Sequence, residues 1–434
     1  MKEVLLIFIV SSLLLIGLIL LKPTVKVGQY TIALYVIAPI LGALTMLCSG
    51  HISLNEVLAG LTAQSSINPV QILALFLSMT FMSIVLEEVG FFVYLANKVI
   101  ALANSSQRLL FLSLYITVAI LTIFTSNDII ILTFTPFIVY FARNAKINPL
   151  PYLIASFVTA NTWSMFLVIG NPTNIYLATS AGINFFQYMT TMIVPTVASG
   201  IISFVFLFFI FRKSLDENMT ITQVDTTLKD KPAVILCLSH LGVCILLMAA
   251  SSLLHLQMWK ISVGFFISLV LSITVLSAIR RKKPTYLVRA GKRMPLEIIP
   301  FIVSMFIMVL ALTKTDLLTE ASVYMANHNP VLSFGISSFI MSNVINNIPM
   351  SVVYSQLLSP LATSSAFFPA TFASIIGSNV GALLTPVGAL AGIMWTNMLK
   401  ELDCHFSFVS FIKYAGSVGL VSMVTALITL NIVI

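Results

Sequence analysis

Of the fourteen acidic residues in this chain, Asp128 alone lies deep inside an apolar run. It closes the polar break Thr125-Ser126-Asn127-Asp128 within Leu109–Phe141, while the other acids fall in loops or at the ends of such runs. A charged carboxylate at the centre of a bilayer costs roughly 2.5–3.5 kcal/mol even on a lenient insertion scale, and groups placed there usually serve transport or proton relay. Burial favours the neutral form of a carboxyl, so Asp128 is the expected site of proton coupling. The same side chain could instead cap the helix that follows, through the N–H groups of Ile130 or Ile131.

Three further apolar segments are interrupted. Pro151–Ser180 contains Gly170-Asn171-Pro172-Thr173-Asn174, and Val331–Leu358 contains Ser342-Asn343-Val344-Ile345-Asn346-Asn347. Phe367–Met398 is broken at Gly377-Ser378-Asn379 and again at Leu384-Thr385-Pro386-Val387-Gly388. Backbone that leaves helical geometry at membrane depth survives only where it is buried in protein or lines a polar cavity. These breaks therefore predict one shared cavity near the midplane, where helix ends offer N–H groups to oxygen-rich solutes and C=O groups to cations. Gly170, Pro172, Gly377, Gly381, Pro386 and Gly388 are the expected cavity backbone, because glycine permits unusual dihedrals and proline lacks an N–H. The Asn, Ser and Thr side chains of the breaks add donors and acceptors. Asn171 and Asn174 could also be turn formers alone, and Asn346-Asn347 a simple helix start.

The elements that hold these breaks must lie in lipid. The chain has 434 residues, 59% hydrophobic and 8% charged, with a mean hydropathy of +1.06. Soluble domains carry roughly 25% charged residues, so this surface cannot be wetted by water throughout. That excludes a cytosolic enzyme, a nucleic-acid binder and a disulfide scaffold. The net charge of +8 resides at the ends of apolar runs and in loops, above all Arg280–Arg293, as positive-inside topology requires. The five histidines (His51, His240, His255, His328 and His405) are expected at the interfaces.

Runs of about 20 apolar residues mark spans at Val4–Leu21, Tyr30–Cys48, Pro69–Leu86, Phe185–Phe211, Pro232–Leu254, Ile261–Ile279, Leu296–Leu312 and Phe408–Ile432. Phe91–Ala103 and Asp316–His328 read as amphipathic pieces. The two halves share one order: three spans, an amphipathic helix, two broken segments and a closing span. Asn127 then corresponds to Asn346, and Pro172 to Pro386. If the first broken segment of each half is a re-entrant hairpin, each half makes about five crossings and the halves are inverted. The fold class is thus an all-α polytopic membrane protein built of two inverted repeats, residues 1–213 and 232–434, joined by a cytoplasmic linker at 214–231. With both termini outside, only Lys2, Lys260 and Lys314 among the basic residues fall on the outer side. A bacterial inner (cytoplasmic) membrane fits best.

No phosphate-binding Gly-x-x-x-x-Gly-Lys-Ser/Thr stretch, zinc-protease motif or paired carboxylates are present in the sequence. Cys48, Cys237, Cys244 and Cys404 show no ligand-like spacing. The expectation is a transporter rather than an enzyme, with no metal and no cofactor beyond a proton or sodium as coupling ion. An intramembrane enzyme or a channel is the distant alternative.

Asn127-Asp128-Ile129-Ile130-Ile131-Leu132-Thr133 through Pro136, then Ala160-Asn161 and Gly170-Asn171-Pro172-Thr173-Asn174, resemble the ion transporter superfamily. Ile376-Gly377-Ser378-Asn379-Val380-Gly381, Leu384-Thr385-Pro386-Val387-Gly388-Ala389-Leu390-Ala391, Trp395 and Asn346-Asn347-Ile348-Pro349 look most like its arsenite permease branch. The resemblance implies extrusion of arsenite and antimonite by proton exchange, alone or with a soluble ATPase subunit. It also implies a homodimer in which a transport domain moves past a scaffold, as an elevator. By position it places Asn127, Asp128, Asn171, Thr173, Asn174, Asn346, Asn347, Asn379 and Thr385 in the substrate pocket. Arsenous acid is neutral near pH 7 and suits a pocket of amides and hydroxyls, and no Lys or Arg lies near the breaks. Citrate or dicarboxylate carriers and sodium/proton antiporters share much of the pattern and remain the alternatives.

Overall fold

The computed structural model describes residues 2–22, 24–27, 30–62, 68–103, 106–219, 227–228, 230–404 and 406–434. Helices dominate. The first half comprises α1 (Lys2–Leu21), α2 (Ile37–Cys48), α3 (Leu54–Thr62), α4 (Pro69–Glu88), α5 (Phe91–Ala103), α6 (Gln107–Phe124), α7 (Asn127–Ala145), α8 (Leu150–Trp163), α9 (Pro172–Ser180) and α10 (Phe185–Phe211). The second comprises α11 (Lys231–Ala249), α12 (Met258–Ile279), α13 (Thr285–Lys292), α14 (Ile298–Leu312), α15 (Leu317–His328), α16 (Pro330–Ile345), α17 (Asn347–Leu358), α18 (Phe367–Gly381) and α19 (Leu390–Glu401). It closes with α20 (Phe408–Phe411), a π turn at Ile412–Gly416 and α21 (Ser417–Val433). Among the described residues eight helices are long and apolar enough to cross a membrane, or nine if α14 and α15, bent by 86°, count as one. The chain is a multi-pass membrane protein.

One expected span is corrected. Tyr30–Cys48 is not a single helix: Thr24–Val27 and Tyr30–Ala33 pair as antiparallel strands β1 and β2 before α2 begins. The β-branched residues Thr24, Val25, Val27, Thr31 and Ile32 favour that extended backbone. His240 is also not interfacial. It lies inside α11, 2.8 Å from the Leu236 carbonyl through Nδ1 and 3.1 Å from Ser268 Oγ of α12 through Nε2. His405 lies outside the described residues, as do residues 220–226 and 229 of the expected linker.

The first polar break folds back. Tyr152 Oη, at the start of α8, donates to Gln107 Oε1 at the start of α6 (2.8 Å), so α7 returns to the face that α6 left. In the second half the Phe334 and Tyr354 rings lie 6.4 Å apart, near the outer ends of α16 and α17. The two hairpins open to opposite faces. Arg143, at the end of α7, donates to the Leu402 carbonyl just after α19. On the other face, where α14 gives way to α15 and α16, Lys314 binds Glu56.

The halves exchange contacts reciprocally. Helix α4 packs on α12 as α14 packs on α2, and α9 packs on α17 as α19 packs on α7. Within each half α6 lies on α8 and α16 on α18, while the closing helices α10 and α21 pack on each other. Two bodies result. One holds the hairpins, the broken helices and the closing helices. The other holds α1, α2, α4, α11, α12 and α14.

Gly377 and Gly381 belong to the α16–α18 contact. A Cβ on Gly377 would meet Ser338 Oγ and the Gly335 carbonyl, and one on Gly381 would lie 2.9 Å from the Phe339 carbonyl. These small residues one helical turn apart let the backbones approach closely. Overpacking a tight core typically costs about 1–3 kcal/mol. Gly377→Ala is therefore expected to destabilise the protein by about that amount, read as a lower melting temperature in detergent.

The Lys314 contact carries a pH dependence. Its Nζ lies 2.8 Å from Glu56 Oε1, and Ser53 N–H donates to Oε2 at 2.8 Å. The hydrogen bond from Lys314, then those from Ser53, hold the Glu56 carboxyl at about 2. Its folded value lies below its unfolded one, so the contact stabilises above the ordinary glutamate range and is lost as pH falls through the folded value. Glu56→Gln is expected to flatten the loss of melting temperature between about pH 4.5 and about pH 2.

Candidate functional site: helix breaks joined by an amide network

Four helices start at the breaks, namely α7, α9, α17 and α19, and each leaves N–H groups without intrahelical partners. Two are capped by their own asparagine. Asn171 Oδ1 accepts from Thr173 N (3.1 Å), and Asn346 Oδ1 accepts from Ile348 N (3.3 Å). The other two are not: neither Ser126 before α7 nor Ala389 before α19 makes a side-chain cap. The two uncapped helices pack together across the halves, as the two capped ones do.

A network runs from the first hairpin tip into the second half. Asn127 Nδ2 donates to Asn161 Oδ1 (3.1 Å), and Ser164 Oγ contacts both the Asn161 carbonyl (2.8 Å) and Asn379 Oδ1 (2.9 Å). Asn171 Nδ2 donates to the same Asn379 Oδ1 (2.9 Å). Asn379 Nδ2 donates to Asn174 Oδ1 (2.6 Å) and to the Ile375 carbonyl (2.8 Å). Thr173 Oγ1 turns back to Asn171 Oδ1 (3.1 Å). Asn379 thus has partners on both amide atoms and ties α18 to α8 and α9.

A second cluster holds the other break. Asn343 Oδ1 accepts from Thr385 N and Oγ1 (3.1 and 2.7 Å), while its Nδ2 donates to the Phe339 and Gly381 carbonyls (each 2.9 Å). Asn346 Nδ2 donates to the Val387 carbonyl (2.9 Å). Asn347 is buried in the first turn of α17. Gly388 sits where a Cβ would come within 2.8 Å of Asn343 Oδ1 and of the Gly381 carbonyl, and at Gly170 one would strike the Ser164 carbonyl.

Some polar atoms keep free valences. Among the described residues Asn127 Oδ1, Thr162 Oγ1 and Ser378 Oγ are buried without a hydrogen-bond partner. Asp128 is half-buried in the first turn of α7, and among the described residues no hydrogen bond or ion pair engages its carboxylate. It does not cap α7. A carboxylate in a helix's first turn is favoured by the helix dipole. Buried polar atoms are normally satisfied, and others without a partner lie outside the breaks, among them Thr80 Oγ1, Thr196 Oγ1 and Ser422 Oγ. In this conformation the space beside the second tip, between Tyr35, Phe301, Asn346 and Leu390, is only about 10 Å³, room for no more than a water.

The breaks expected from the sequence thus lie together, with Asn171, Thr173, Asn174 and Asn379 in one network and Asn346 and Thr385 in the other cluster. Asn161, Ser164 and Asn343 were not assigned to the site from sequence, although Asn161 and Asn343 are amides inside apolar helices, which was their signal. The correspondence between halves also shifts. The 3₁₀ turn Val168–Gly170 matches Pro386–Gly388, each followed by an extended residue (Asn171 and Ala389) that starts a helix. Pro172 therefore corresponds to Leu390 rather than to Pro386, and Asn161 to Asn379. Trp163 packs against Gly200 and donates to Tyr115 Oη (3.2 Å).

Inverted hairpins and broken helices meeting at a buried polar network define a membrane transporter. The chain belongs to the family described as Citrate transporter (CitMHS), which matches residues 16–377. It is 25% identical to the Arsenical pump membrane protein of Escherichia coli (strain K12) over 351 residues, 77% of this chain and 80% of that one. It is 26% identical to the Putative arsenical pump membrane protein of Bacillus subtilis (strain 168), covering 86% and 88% of the two chains. The fold is similar to that of the YdaH transporter of Alcanivorax borkumensis, whose crystal structure reveals an unusual topology. The TM-score is 0.58 at 14% identity, over 99% of this chain and 97% of that one.

Proposed function

We propose that this protein is a secondary transporter that exports arsenite and antimonite as neutral trihydroxides in exchange for protons. The observation that carries the reading is the chemistry of the breaks. They present amides, hydroxyls and two uncapped helix N-termini beside one unpaired carboxylate, Asp128, with no Lys or Arg in the described network. Such a site satisfies three hydroxyls without a fixed countercharge. The arsenical pump relatives support the choice of solute. Asp128 takes up the coupling proton, and the body of hairpins and broken helices moves against the body of α1, α2, α4, α11, α12 and α14 as an elevator. The repeats at 1–213 and 232–434, the cytoplasmic linker at 214–231, a homodimer in the cytoplasmic membrane with both termini outside, and an optional soluble ATPase subunit belong to this reading.

A second reading, a sodium- or proton-coupled citrate or dicarboxylate carrier, is favoured by the description of the family. Its anions would rest on the uncapped N-termini of α7 and α19. Expression in an arsenite-sensitive bacterial host separates the two. Growth at arsenite levels that stop the parent supports metalloid export. Unchanged sensitivity, with the protein present in the membrane, contradicts it and directs attention to carboxylates.

A further inference from the structure

A cavity of about 540 Å³ opens beside the second break and has no role in the transport cycle described above. It lies between the end of α1 (Ile19 and Lys22) and one face of α19, so one wall belongs to each body. Along α19 the lining residues are Ile393, Thr396, Asn397 and Lys400, at the spacing of a single helix face. That stripe runs from the charged end of α19 back toward the break. The floor is Pro386 and Val387, and the Val387 carbonyl accepts from Asn346 Nδ2 at the second hairpin tip (2.9 Å). The cavity therefore reaches the break itself.

Its charged groups are Lys22, Lys400 and Glu401. A neighbouring cavity shares Lys400 and adds Asp403, and Arg143 binds the Leu402 carbonyl beside it. Along the lining of the larger cavity itself, two cations face one carboxylate. A cleft with one excess sign and low-dielectric walls concentrates solutes of the opposite sign.

We propose that this cavity is a solute-binding antechamber, with Asn397 offering its amide, Thr396 Oγ1, which donates to the Ile393 carbonyl (2.9 Å), offering an acceptor, and Lys22 and Lys400 setting the potential. It admits small oxygen-rich solutes that are neutral or anionic and turns away cations. The inference rests on the transporter reading and on the break at Pro386–Gly388, but not on which oxyacid is carried.

The test uses the full-length protein in membrane vesicles, with the four native cysteines replaced by alanine and Asn397→Cys introduced. Modification by a sulfonate and by a trimethylammonium methanethiosulfonate is timed, each rate divided by that with free 2-mercaptoethanol. The anionic reagent is expected to react about threefold or more faster at low ionic strength. The gap should close at high salt and in the added Lys22→Gln, Lys400→Gln pair. A normalised ratio of one or below, or no modification by either reagent, would overturn the antechamber. The measurement involves no transported solute: a ratio as expected with no arsenite export sinks the metalloid reading and leaves the antechamber standing.

Discussion

Asp128→Asn is expected to reduce proton-driven arsenite export to the level of vesicles without the protein, while leaving the folded protein in the membrane. The substitution keeps size and shape and removes only the ionisable oxygen. Among the described residues Asp128 has no hydrogen-bond or ion-pair partner to strand, and it does not cap α7, so little stability should be lost. An unpaired acid at membrane depth costs free energy in every folded molecule, and under the proposed function exchange of a proton accounts for keeping it. Asp128→Glu should retain partial activity with an altered pH profile. Fluorescence-detected size exclusion separates loss of fold from loss of coupling: a monodisperse, inactive Asp128→Asn protein supports the coupling role, and a fully active one removes Asp128 from it.

Asn379→Leu should have the largest effect on stability of any single change at the site. The side chains are similar in size, but four polar groups lose their partner: Ser164 Oγ, Asn171 Nδ2, Asn174 Oδ1 and the Ile375 carbonyl. Each buried group left unsatisfied costs about 1–3 kcal/mol. Ser164 Oγ retains the Asn161 carbonyl and the Ile375 carbonyl keeps its place in the α18 backbone ladder, so the loss should be about 3 kcal/mol or more rather than the full sum. A melting temperature lowered by many degrees, with transport abolished, is the expected result. Asn174→Ala takes a partner from Asn379 Nδ2 and from the Ser164 and Leu167 carbonyls, but Asn379 Nδ2 keeps the Ile375 carbonyl, so it should cost less.

The breaks themselves were legible in the sequence, because Gly, Pro and Asn interrupt a helix and lipid offers the freed backbone groups no partner. The hairpin at Asn127–Asp128 and its counterpart at Asn346–Asn347 followed from the same punctuation plus the charge of the flanking loops. What periodicity could not give was pairing between segments about 200 residues apart. Asn379 reads from sequence as one more solute ligand, yet both its amide atoms are engaged within the protein, and the spacing of Asn161, Ser164 and Asn343 does not by itself assign them to the site. Gly377 and Gly381 read as cavity backbone, whereas their near neighbours are on α16; a glycine's reason for being small lies in what approaches it. The alignment of the halves on Pro172 and Pro386 matched a residue type, while the folded chain matches the extended residues before α9 and α19. Near the N-terminus, hydropathy could not distinguish a short β-hairpin plus a short helix from one span, since Val, Ile and Thr serve both.

Arsenite uptake into inside-out vesicles decides whether a neutral metalloid is exchanged for protons. Uptake would be followed with and without an imposed proton gradient, in vesicles shown by size exclusion to contain folded protein, with citrate run in parallel. Proton-coupled export predicts arsenite accumulation that requires the gradient and collapses when a protonophore is added. Accumulation of citrate with none of arsenite, or arsenite movement indifferent to the gradient, would contradict it.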